Sequence, residues 1–498
     1  MKKIKIKKKK NIKPEGGIVL GKKKNVKGEE VYVIEEDTHS LCIGATRSGK
    51  SRSVVLQSIC TLGLAGESMI LSDPKGELYN YTEPFLKSLN YDVIVIDFKN
   101  PLKSQSYNFL QPTIDAIDKS DISSAIECAW DITSALVGEA KGEKLWNNGE
   151  ASTIAGSIMN VVKDNHQNIS KREFQNMTNT YFFIANMYKT IQDPVTGNSV
   201  MPITKYMNRL ENNHPSRGLL GISEIAPART RGSFFTSALT TLRLFTTPRI
   251  YSMTNESDFK PEELGDKKTA LFIILPDEKT TYYSLASLLV TQIYEQLVKT
   301  ADRRGGRLKN RVNFILDEFG NFTQIPDFST KLTVGGGRGI RFNLFLQDFA
   351  QLDRTYGKEE SKIIRGNCET WIYLRTSDTD TLKEISEKLG QYTVSTYSLS
   401  ASTNLRASAS SSQSVNLTGR PLLTVSEIKQ IDRPYSLIMS KGNPSIMYAP
   451  DLSKYSFNKL LGLGDKEHNR KIREKRESER PEKKSTDKMK LWNVWNLN

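Results

Sequence analysis

Eight consecutive residues, Gly44, Ala45, Thr46, Arg47, Ser48, Gly49, Lys50 and Ser51, follow the spacing G-x-x-x-x-G-K-[ST]. The glycines let backbone N–H groups close around a phosphate, and a helix after them would add its positive end. Lys50 would reach the β- and γ-phosphates of a nucleotide, and the Ser51 hydroxyl would hold Mg2+. A metal held in this way needs a carboxylate. In "RVNFILDEFGN", Val312, Phe314, Ile315 and Leu316 run into Asp317 and Glu318. Asp317 would bind the magnesium shell through water, and Glu318 would polarise an attacking water. The stretch "RFNLFLQ" ends at Gln347, whose amide would sense the γ-phosphate or orient that water. In "ILSDPKGELY", Asp73, Lys75 and Glu77 crowd a bend set by Pro74 and Gly76. A salt-bridged turn accounts for that bend as well as a nucleotide contact does.

These groups can meet only if their strands end on one edge. "LCIG", "SMILSD", "YDVIVID", "TALFIILP", "VNFILDE", "RFNLFLQ", "TWIYLRT" and "YSLIM" are short β-rich apolar runs separated by helical stretches. That is the pattern of a mostly parallel sheet covered on both faces. Between 113 and 255 the alternation stops and apolar residues recur every three or four, as in "EASTIAGSIMNVVKD". The expected architecture is an α/β P-loop nucleotide-binding domain in two parts, 28–112 and 256–464, with an all-helical domain inserted between them. The serine-rich stretch 395–418 reads as a flexible loop. The charged tail 465–498, ending in the aromatic patch "LWNVWNLN", reads as disordered.

The net charge of +15 belongs to the ends of the chain. Residues 1–27 form a lysine-rich arm with twelve lysines and one glutamate, and residues 465–490 add a smaller excess. The body between is neutral, so any DNA it handles must meet a local patch. No apolar run approaches the ~20 residues of a membrane span. The four cysteines are far apart and the four histidines scattered, a pattern that suits neither a zinc site nor a nuclease.

Taken in order and spacing, "GATRSGKS", "DPKGELY", "VNFILDEFGN", "GGGRGIRFNLFLQDFAQL" and "GRPLLTVSEI" resemble the TraG-like coupling ATPases of conjugative type IV secretion. The resemblance runs from about residue 38 to 450. It implies a RecA-like motor domain with a helical domain, assembled as a homo-hexamer that uses ATP and Mg2+. Such a ring would link a relaxase and its single-stranded DNA to the channel proteins. Two departures from the family pattern stand out. The transmembrane start usual in the family is replaced by the lysine arm. A cytoplasmic chain held peripherally at the inner face of the cell membrane is then implied, either by the arm itself or by a separate membrane anchor protein. The turn before the glutamine strand reads Gly336, Gly337, Arg338, Gly339, which leaves Arg338 as the candidate arginine finger; Arg341, Arg420 and Arg47 are rivals. Two other readings stay open: a nucleotide-gated relaxase-docking adaptor that pumps nothing, and a DNA translocase of the FtsK or HerA kind.

Overall fold

A computed structural model describes residues 3–5, 16–25, 28–138, 144–192, 197–276, 278–402, 410–483 and 488–493. At its centre is a nine-stranded sheet in the order Ser445–Tyr448, Tyr435–Met439, Cys368–Arg375, His39–Gly44, Ile340–Leu346, Val312–Leu316, Ser68–Asp73, Thr269–Ile274, Asp92–Asp97. The seven strands from Cys368–Arg375 to Asp92–Asp97 are mutually parallel. The two at the other edge join antiparallel. All eight strands expected from the sequence are present, and Ser445–Tyr448 is the ninth.

The central strands are apolar on both sides because both faces are covered. Leu41 and Ile43 contribute to the core on one face, shared with the helical block, and Cys42 to the other. The same alternation puts Phe314 and Leu316 on the first face and Ile315 on the second, as the two-residue period of a strand requires. Between the Asp92–Asp97 and Thr269–Ile274 strands lie the helices that include Ile122–Val137, Lys144–Asp164, Met177–Met187 and Ala228–Leu242. Among the described residues of this helical insertion, one short antiparallel pair forms, Ile191–Gln192 with Ser199–Val200.

Three expectations are corrected. The lysine arm is not a separate segment ending at residue 27, because Ile18–Asn25 pairs antiparallel with Gly28–Ile34. Ile18, Val19 and Leu20 are buried, and the Val19 N–H donates to the Ser58 hydroxyl at 2.9 Å. Twelve lysines masked three apolar residues that join the core on the second face of the large sheet. Over its described residues the serine-rich stretch is no loop either, since Gln391–Ser402 and Ser410–Pro421 form a long antiparallel ribbon; residues 403–409 lie outside the described residues. Its serines alternate with larger residues such as Tyr397 and Leu399, which is the period of a strand rather than of a linker. The tail, finally, is ordered on the body over its described residues. Lys466–Glu479 is a helix capped by Asp465 and laced by i,i+4 ion pairs such as Lys471–Glu467. Beyond it Arg480 enters a buried pair with Asp97 at 2.6 Å, and Trp492 stacks on Phe183 at 5.7 Å between centroids. Charge composition predicts disorder only where nothing receives the charges.

Candidate functional site

The His39–Gly44 strand is buried along its whole length and delivers the glycine-rich loop to the carboxyl edge of the sheet. The loop is anchored where it leaves the strand, because the Ala45 N–H donates to the Arg375 carbonyl at 2.7 Å. It turns through positive φ at Arg47 (65°) and Gly49 (96°). At Gly44 a Cβ would lie 2.4 Å from the Ser48 hydroxyl, so the loop closes too tightly for any side chain there. Ser51–Val55 then starts a helix that continues as Leu56–Ala65, with its free N–H groups toward the loop. Thr46 and Arg47 are exposed. The Lys50 side chain is buried; its ammonium donates to the Gly44 carbonyl at 2.6 Å and lies 3.5 Å from Glu318. The Ser48 hydroxyl is buried with no hydrogen-bond partner among the described residues. A lysine turned onto a loop carbonyl beside an orphan hydroxyl is what phosphate oxygens would satisfy.

Register brings the carboxylates to this loop. Leu316 lies opposite Ser72 on one side and Leu344 on the other, and Leu346 lies opposite Ile43. Asp73, Asp317, Gln347 and Gly44 therefore end on one edge. The Ser51 hydroxyl donates to Asp317 Oδ2 at 3.1 Å, while Asp317 Oδ1 accepts from the Glu318 N–H. A hydroxyl and a carboxylate side by side are hard oxygen donors suited to Mg2+. Burial pushes the Asp317 carboxyl up to about 6, with the Glu318 charge adding to the rise and Lys50 and Ser51 opposing it. Glu318 occupies the left-handed region at φ 52°, a conformation that costs a non-glycine residue roughly 1–3 kcal/mol. That strain aims its carboxylate between Lys50 and Gln347, whose amide donates to Glu318 Oε2 at 3.0 Å. Gln347 is held in turn, its N–H donating to Gln351 Oε1. Lys50, Glu318 and Gln347 thus form one polar chain beside the Ser51–Asp317 pair.

The turn after Ser68–Asp73 has a different task. Asp73 is buried, its carboxyl is pushed up to about 7 by that burial, and it accepts the Tyr79 N–H at 2.9 Å. It ties down the first turn of the Glu77–Ser88 helix, and Glu77 pairs with Arg473 of the tail at 3.2 Å.

The arginines separate cleanly. Arg338 stands at the amino end of the Ile340–Leu346 strand, the opposite edge from its own cradle, and pairs with Asp302 at 3.0 Å. Seven strand residues at about 3.3 Å each put roughly 23 Å between that edge and Gln347. Arg341 is buried and fully engaged by Glu67, Asn313 and the Ile34 carbonyl. Arg420 sits at the base of the ribbon against Glu427 and Tyr392. No motif marked Arg433, yet its guanidinium lies against the outside of the glycine-rich loop. Its only sequence signal is a position just ahead of the "YSLIM" strand, which says nothing of a loop almost four hundred residues earlier.

Known proteins share this fold. The fold matches the conjugative coupling protein TrwBdeltaN70 with a TM-score of 0.59 at 17% identity, over 84% of this chain and 86% of that one. A TrwB structure in complex with ADP and Mg2+ matches at 0.57 and 17% identity, over 84% and 86%. In sequence the chain is 23% identical over 423 residues to protein VirD4 of Rhizobium rhizogenes, covering 82% of this chain and 58% of that protein. It is 25% identical over 416 residues to the conjugal transfer protein TraG of Escherichia coli, covering 80% and 62%. The chain therefore spans about three-fifths of the length of these curated relatives. Residues 1–452 match the model of the type IV secretory system conjugative DNA transfer family, and with a match over most of its length this chain belongs to that family.

Proposed function

We propose that this chain hydrolyses ATP to drive single-stranded DNA transfer through a conjugative type IV secretion channel. The observation that carries the reading is the continuous polar chain from Gly44 through Lys50 and Glu318 to Gln347, with Ser51–Asp317 beside it. The loop N–H groups and Lys50 bind the β- and γ-phosphates. Ser51, and Asp317 through water, hold Mg2+, which when bound neutralises charge on the phosphate oxygens. Glu318 accepts the proton of the attacking water, and Gln347 orients that water and registers whether the γ-phosphate is present. Lys50 must leave the Gly44 carbonyl to do this, so nucleotide entry and reorganisation of the chain are one event.

Arg338 lies too far from its own cradle to act there. It serves as an arginine finger only toward a neighbouring subunit, which is the role a homo-hexamer gives it. The relaxase–DNA complex and the channel proteins are the partners this family membership supports, and the helical insertion is the surface assigned to cargo. Among the described residues no helix is long and apolar enough to cross a membrane. The cytoplasmic chain is held peripherally at the inner face of the membrane, by the lysines near its start or by a separate anchor protein. The test is ATP turnover of purified wild type and Lys50→Ala, with and without single-stranded DNA, alongside conjugation frequency. Turnover stimulated by DNA and abolished with transfer by Lys50→Ala is the expected result. A Lys50→Ala strain that transfers DNA like wild type would end the motor reading.

A further inference from the structure

The glycine-rich loop is gripped from outside by a residue distant in sequence. Arg433, just before the Tyr435–Met439 strand, donates from Nε to the Ser48 carbonyl at 2.5 Å and from Nη2 to the Arg47 carbonyl at 2.6 Å. Nε and Nη2 form the side-on fork of the guanidinium, so two neighbouring carbonyls are held in one plane by one rigid group. The approach depends on Gly49, where a Cβ would fall 2.4 Å from Nη2. The residue before it completes the brace. Asp432 Oδ2 is 3.5 Å from Arg375 Nη1, and the Arg375 carbonyl accepts the Ala45 N–H. Arg433 thus holds the loop directly at Arg47 and Ser48, and Asp432 reaches its start only through Arg375.

We infer that Arg433 is a positioning residue for the phosphate cradle, fixing the peptide planes of the loop so that the Gly49 N–H faces the nucleotide. The reason is stereochemical. In a trans peptide the C=O and N–H point in opposite directions, so holding the Ser48 carbonyl outward turns the Gly49 N–H inward. The glycine that makes the loop possible also leaves it free to flip, and the fork removes that freedom. A cation on the Ser48 carbonyl also polarises that peptide, which strengthens the Gly49 N–H as a donor, while the Ser48 N–H is spent on the Ala45 carbonyl at 3.0 Å. Arg433 acts through the backbone it holds.

This role rests on the cradle binding a nucleotide, and the test separates the two claims. Mg·ADP affinity is measured by fluorescence titration for wild type, Lys50→Ala, Arg433→Ala and Arg433→Lys, with the melting temperature of each ligand-free protein. Arg433→Ala is expected to weaken Mg·ADP about tenfold, the low end of what loss of an outer-shell partner costs. Its ATP KM rises by a similar factor while kcat stays within about twofold, the signature of lost uniform binding. Arg433→Lys recovers less than half of the loss on a logarithmic scale, because an ammonium cannot hold two carbonyls in one plane. The ligand-free melting temperature of both variants stays at the wild-type value. Wild type that binds no nucleotide refutes the cradle itself. Wild type that binds, with Arg433→Ala binding equally well, refutes the brace alone. Full recovery by Arg433→Lys, or an affinity loss matched by collapse of the ligand-free protein, also overturns it.

Discussion

Metal affinity should report the protonation of Asp317. Its carboxyl, pushed up to about 6 from an ordinary 3.8, is buried and must lose its proton to serve a cation. Burial penalises the charged form, so the proton is held up to a higher pH than in the unfolded chain, and below that pH metal must displace it. With a value near 6, about nine-tenths of the carboxyl is ionised at pH 7 and about one-tenth at pH 5. Mg2+ affinity in the presence of ADP should therefore fall about tenfold from pH 7 to pH 5; an ordinary carboxyl would lose less than about a tenth. The ADP phosphate titrates in the same window, with a pKa of about 6, so the quantity to read is the ratio of wild type to Asp317→Asn. The linked effect on stability has the opposite sign. Ionising Asp317 costs the folded state on the order of 3 kcal/mol, a loss that accrues as pH rises from about 4 to 6. Mg2+ with ADP should offset it, stabilising the protein more at pH 8 than at pH 5. A wild-type to Asp317→Asn ratio that stays constant between pH 5 and 7 would refute the argument that burial sets the carboxylate's affinity for its proton.

The tail offers a second test, because Arg480→Ala leaves Asp97 Oδ2 buried without its cation. Breaking a buried pair costs about 3–5 kcal/mol, so tryptic cleavage after the lysines and arginines of 466–483 should accelerate by a hundredfold or more, about tenfold per 1.4 kcal/mol. Cleavage within threefold of wild type would mean that the tail is not fastened there. At the other edge of the sheet, Arg341→Ala should destabilise the protein by about 3–5 kcal/mol in urea denaturation, because Glu67 and Asn313 lose a buried partner. Arg341→Ala leaves the nucleotide site untouched, so ADP affinity of the folded fraction should be unchanged.

Local chemistry was written plainly in the sequence, as were the sheet strands. Each run such as "VNFILDE" carries its own period, and the glycine-rich loop with Lys50 and Ser51 is dictated by spacing within eight residues. A parallel sheet then obliges Asp317 and Gln347 to end beside Gly44, so most of the candidate site follows from topology that the pattern already implies. Three kinds of fact were decided only by the tertiary structure. One is which ionic groups find partners: Arg480 orders a tail whose composition reads as disorder, because Asp97 waits buried almost four hundred residues away. Another is whether a polar stretch pairs, as with Gln391–Ser402 and Ser410–Pro421, whose serine-rich composition reads as a loop until the two segments meet. The last is the Arg433 brace, formed where the chain returns as an antiparallel strand, second from the edge of the sheet. Local patterns are set by sterics and periodicity over a few residues. Long-range pairings depend on how burial brings distant charges together, and no local pattern encodes that distance.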